Sequence, residues 1–220
     1  MEYTVEHAQK CLSVIDAGLV SGLGQAEPGK MCVEAAICYA LGLPHGDDPG
    51  CVSSAVRSFK IALNDKWWSS DTARAAGLRA LAIAQLGSKS VIDDIVFARR
   101  LTKQIIRVIV PIALRTVAQR VPFHAAVLET AAEACEREGT PASALKARDA
   151  ASTAAAAAAD ADADAAAAAY AAADAAAYAA ADADADARDA IFAKAASLAF
   201  DVLREMGAPG VALWDAVNAA

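Results

Sequence analysis

Cys32, His45 and Lys30 are residues of this chain whose types and spacing could support chemistry. A helix is expected from Lys30 to about Leu43, which puts the Cys32 thiol in its first turn. There the positive end of the helix dipole, together with Lys30, would lower the thiol pKa. A nucleophilic cysteine also needs a base within hydrogen-bond reach. His45 and His124 are the available imidazoles, so Cys32 and His45 form the candidate catalytic pair of a cysteine-dependent enzyme. The competing reading is structural, because a cysteine at a helix start more often behaves as a small buried hydrophobe.

Two further patterns suggest anion binding. Gly24-Gln-Ala-Glu-Pro-Gly29-Lys30 resembles a phosphate-binding loop, but Met31 stands where a magnesium-holding Ser or Thr belongs. No buried strand is expected before it. Lys30 and free amides at the helix start could still hold a simple anion. Further along, Arg99, Lys103 and Arg107 recur every four residues with Arg100 alongside. Such a stripe could meet the phosphates of a nucleotide or nucleic acid. Lys30, Arg99, Arg100, Lys103 and Arg107 are therefore the candidate anion-binding set.

Metal and cofactor sites are not expected. Cys32 and Cys38 lie six positions apart, roughly 240° around a helix, and no tight Cys-x-x-Cys pair is present. His45, Asp47 and Asp48 with Glu34 could approach a divalent ion. A polar turn bounded by Pro44 and Gly50 explains them equally well. The Asp160–Asp164 and Asp182–Asp186 runs lack the glycine and glutamate of a calcium loop.

The elements that must position these residues read as helices throughout. Apolar spacing predicts helices over about 4–21, 30–43, 51–64, 70–86, 90–121, with Pro111 kinking the last, and 123–138. In the third helix Val52, Val56, Phe59 and Leu63 are expected inward. Trp67 and Trp68 are expected to bury together at a helix junction, and Ser90 with Asp93 resembles a capping box. No convincing alternation of period two appears, so no sheet is expected.

From Ala150 to Ala190 the chain is almost pure alanine, interrupted by aspartates, Tyr170, Tyr178, Ser152, Thr153 and Arg188. Alanine has the best helix propensity. Pro and Gly are absent from Ser143 to Met206, with Thr140-Pro141 as a start and Gly207 as a stop. One continuous helix would give a rod of about 90 Å, and a break at an aspartate run is the alternative. Its alanine face could seam against another helix, from this chain or a second copy. The aspartates recur too often for a membrane span.

Charge is segregated: −5 over residues 1–50, +8 over 51–120 and −10 over 121–220. The acidic arm could neutralise the basic centre, dock on another copy or compete with an anion. Five cysteines without a paired framework, and no leading signal segment, suggest a reduced cytoplasmic protein.

The run Cys32-Val-Glu-Ala-Ala-Ile-Cys-Tyr-Ala-Leu-Gly-Leu-Pro-His-Gly-Asp-Asp-Pro, with Lys60-Ile-Ala-Leu-Asn-Asp, Trp68-Ser-Ser and Ala84-Gln-Leu-Gly-Ser, resembles a group of bacterial and phage proteins with alanine-rich tails. The resemblance covers about residues 30–90 and the style of the tail. It implies no activity and transfers no catalytic residue.

The expected architecture is all-α: a compact multi-helix body over 1–139, a long Ala/Asp-rich helical arm over 140–206 and a short terminal helix over 207–220. The expected role is a non-enzymatic interaction or assembly protein whose partner is a second copy or another protein. The alternatives are an anion-binding module for nucleotide or nucleic acid with an acidic regulatory arm, and a Cys32-dependent enzyme.

Overall fold

The computed structural model describes residues 3–120, 122–158 and 185–219. Among these the fold is all-α. Nine helices follow one another: α1 (Val5–Ile15), α2 (Val33–Ala40), α3 (Ser54–Asn64), α4 (Asp71–Ala84), α5 (Asp94–Arg120), α6 (Ala125–Glu138), α7 (Pro141–Ala158), α8 (Ala185–Glu205) and α9 (Pro209–Asn218). Short 3₁₀ turns occupy Ser88–Ser90 and Pro122–His124. No described helix is long and apolar enough to cross a membrane. α7 and α8 fall within the expected arm. Residues 159–184, and with them the expectation of one unbroken rod, lie outside the described residues.

The chain divides into two compact units. The first contains residues 1–99 and 192–220, and the second contains residues 100–191. In the first, α4 contacts α1, α2, α3 and α9. Its core includes Ile15, Leu19, Ile37, Leu78, Leu81, Phe192 and Val202. In the second, α6 and α7 form a hairpin. Ile106, Val110 and Leu114 pack with Leu128, Ala132, Cys135, Ala144 and Ala147. Thr140 and Ser143 cap α7 reciprocally: the Ser143 amide donates to Thr140 Oγ1 at 3.2 Å and the Thr140 amide to Ser143 Oγ at 3.1 Å. Ala144 and Ala147 of α7 are thus buried inside its own unit.

Local chemistry sets the helix limits, and several differ from expectation. α1 stops at Ile15 instead of near residue 21, with Gly18 at φ +113° turning the chain away. α5 starts at Asp94. Asp93 is its cap, accepting the Val96 amide at 2.9 Å, so no Ser90–Asp93 box forms. α5 then runs through Pro111, which is buried. The tryptophans separate. Trp68 is buried over Gly77 and 5.2 Å from the Phe192 ring, and its indole N–H donates to the Leu63 carbonyl at 3.0 Å. Trp67 is 77% exposed.

Gly210 allows α9 to dock on α4. A β-carbon there would stand 2.2 Å from the Ile83 carbonyl oxygen and 2.6 Å from that of Ala84. Both obstacles are backbone, which cannot rotate aside. Gly210→Ala should therefore cost about 2–4 kcal/mol of stability, read as a lower urea midpoint. An unchanged midpoint would show that this close approach is not required.

Candidate functional site

The polar centre of the first unit comprises Glu34 from α2, Lys60 from α3 and Gln85, which follows α4. Lys60 Nζ lies 3.3 Å from Glu34 Oε1, and both side chains are fully buried. Gln85 Nε2 donates to Glu34 Oε2 at 3.0 Å. The geometry is incomplete: among the described residues, Lys60 Nζ, Glu34 Oε1 and Gln85 Oε1 have no hydrogen-bond partner. Burial pushes the Glu34 carboxyl up despite the pull of Lys60. The same burial pushes the Lys60 ammonium down despite Glu34. Each charge is costly alone, and each makes the other tolerable.

Sequence reading overlooked this pair, although a signal was present. Val56, Lys60 and Leu63 share the helical phase of the buried face of α3. Phe59, expected inward, is half-buried, and Lys60 takes the core position instead. Arg74 was overlooked too. Its Nε donates to the Asn64 carbonyl at 2.8 Å and its Nη1 to the Leu19 carbonyl at 2.7 Å. It therefore ties the loop after α1 to the end of α3.

Cys32 is the N-cap of α2 and lies just outside its first turn. Its Sγ accepts the Ala35 amide at 3.4 Å. Its pKa is raised, because burial outweighs the two backbone amides that favour the thiolate. The expected lowering does not occur. Lys30, the expected helper, is exposed and pairs with Glu27 at 3.0 Å. Cys32 lines a small cavity of about 80 Å³ with Val33, Asp47, Ile61, Asn64 and Asp65, room for a few waters. His45 is exposed and turns its Nε2 to the Gly24 carbonyl at 3.2 Å. The proposed thiol and base thus have different partners.

The phosphate-loop resemblance is resolved in the same way. The Gln25 amide donates to the Lys30 carbonyl at 2.7 Å, the Lys30 amide to that of Glu27 at 2.9 Å, and the Cys32 amide to that of Leu23 at 3.2 Å. Gly24 and Met31 form an isolated antiparallel bridge. The Val33 amide at the start of α2 donates to Asn64 Oδ1 at 3.1 Å. These amides point at the protein itself, so the expected anion site at Lys30 lacks its donors.

Of the basic stripe, Arg99 belongs to the first unit, whereas Arg100, Lys103 and Arg107 belong to the second. Arg99, Arg100 and Lys103 are exposed. Arg107 lies against Gly139, and its Nη2 donates to the Arg137 carbonyl at 2.8 Å. There it serves as a cation at the C-terminus of α6. A wider groove of about 490 Å³ opens at the start of α3, between Ser54, Arg57, Lys89 and Ile95. Asp94 accepts from the Ser53 and Ser54 hydroxyls, which hold its carboxyl below the usual range. No group of His, Cys, Asp and Glu that could hold a metal is found among the described residues.

The chain matches no protein-family model, no curated protein and no solved structure in the comparisons made.

Lys60→Met strands the Glu34 carboxylate, which should cost about 3–5 kcal/mol at neutral pH. Without Lys60 the folded Glu34 pKa rises further above its unfolded value. The folded state then binds the extra proton, and stability falls as pH rises through that interval. The variant should accordingly regain stability as pH is lowered from 7 toward 5. Adding Glu34→Leu should recover much of the loss at neutral pH. A Lys60→Met protein with parental stability and no such pH dependence would contradict the pairing.

All five thiols are free, and only Cys51 is not buried. Iodoacetamide at neutral pH should label Cys51 first and Cys32 slowly, read by peptide mass spectrometry. Preferential labelling of Cys32 would restore its candidacy as a nucleophile.

Proposed function

We propose that this chain is a non-enzymatic helical assembly protein, with self-association as its primary form. One observation carries the reading: Phe123, on the turn between α5 and α6, is 96% exposed. A phenylalanine in water forgoes about 1.5–3 kcal/mol of burial free energy. On the next turn, Val127 is 57% exposed. An apolar pair of this kind at a helix corner is the chemistry of a protein contact. The buried polar centre supports the reading from the other side, because its side chains are engaged with one another.

The alanine seam belongs to this proposal only where it lies beyond α7, whose Ala144 and Ala147 are already buried. The body-and-tail resemblance and a cytoplasmic location are carried with it, the latter resting on the free thiols. For the anion-binding alternative, Arg99, Arg100 and Lys103 are exposed.

Sedimentation equilibrium of the full chain over a wide concentration range provides the test. The weight-average mass should rise with concentration, and Phe123→Ser should lower it without changing the helical circular dichroism. A strictly monomeric parent chain would remove the self-association reading.

A further inference from the structure

The outer face of α6 has a pattern that fits itself. Ala126, Val127, Thr130, Ala134 and Arg137 fall within roughly 100° of the helix surface, and Phe123 precedes them on the 3₁₀ turn that leads into α6. All are exposed except Ala134, which is partly so. The Thr130 hydroxyl donates to the Ala126 carbonyl at 2.9 Å, so its polar end is already satisfied. Ala126, Thr130 and Ala134 leave the middle of the face low, which permits close approach of another helix. Phe123 stands at one end of this face. Arg137 stands at the other, its side chain 67% exposed and meeting Glu138 at 3.3 Å, a surface contact worth little.

Phe123 and Arg137 each lie seven residues from Thr130, on opposite sides, and Ala126 and Ala134 each lie four. We infer that α6 pairs antiparallel with α6 of a second copy about a two-fold axis at Thr130. In this register Phe123 faces Arg137 of the partner subunit, twice. Ala126 meets Ala134 of the partner subunit, and Val127 lies against the methylenes of Glu133 of the partner subunit. A guanidinium over an aromatic face is attractive, antiparallel helix dipoles oppose favourably, and an isologous contact closes at two copies. The ring and the cation are both on the same face, which selects a second copy over an unrelated helix. This inference rests on the assembly reading above and names its surface.

The test uses the full chain in a Cys51→Ser background, which removes the one native thiol that is not buried. Thr130→Cys should form a disulfide-linked dimer under mild oxidation, because the two thiols meet at the axis. Phe123→Arg places like charges opposite each other and should weaken association by roughly tenfold or more. Adding Arg137→Glu should restore it, because the pairing is then Arg with Glu. All these positions are outside the cores, so circular dichroism should remain unchanged. If Thr130→Cys fails to cross-link and the charge swap does not rescue, while the parent still self-associates, this face is not the interface and assembly uses another. If the parent is monomeric at every concentration, this inference falls together with the reading beneath it.

Discussion

Two ionisable side chains of opposite type lie in the interior of the first unit, and the surrounding helices keep them together. Glu34 comes from α2, Lys60 from α3, and the Gln85 amide that steadies Glu34 follows α4. Either charge alone in that interior would be strongly penalised. The three segments must therefore close around one another in a single arrangement, because a shift of one helix separates a partner from its charge. α4 then carries the consequences outward. Its Gly77 receives the Trp68 ring, and its final carbonyls lie against Gly210.

Around that pair, the polar groups of the first unit are used mostly for mutual support. Thr4 and His7 cap α1, Cys32 and Asn64 satisfy the start of α2, Ser53 caps α3 with Asp94 at its first turn, and Ser70 caps α4. Free helix amides beside a lysine and a thiol would form an anion site or an activated nucleophile. With the same amides bonded internally, the thiol is a buried cap and the lysine a surface cation. The features that suggested chemistry are the ones that hold the fold.

In the second unit, alanine rather than charge sets the packing. Ala132, Ala144 and Ala147 are too small to hold helices apart, so α6 and α7 approach closely around Leu128 and Cys135. Arg115 bridges Glu129 and Glu136 at the periphery, which clamps α5 to α6. An exposed phenylalanine stands on the turn before α6 and an exposed arginine near its end.

The sequence by itself determined the all-helical class and most helix positions. Periodicity, capping residues and glycine stops act over a few residues, and the observed starts at Ser54, Asp71 and Pro141 reflect those local forces. It also held a trace of the polar centre, in a lysine at the buried phase of α3. It could not say that Glu34 would meet that lysine, that Cys32 would face burial more than dipole, or that Trp68 would bury while Trp67 stayed in water. Nor could it place residues 192–220 in the same unit as the first ninety-nine. Those outcomes belong to the tertiary structure. A charge, a thiol or an indole responds to the dielectric and to partners brought from distant parts of the chain, and only the assembled core sets both.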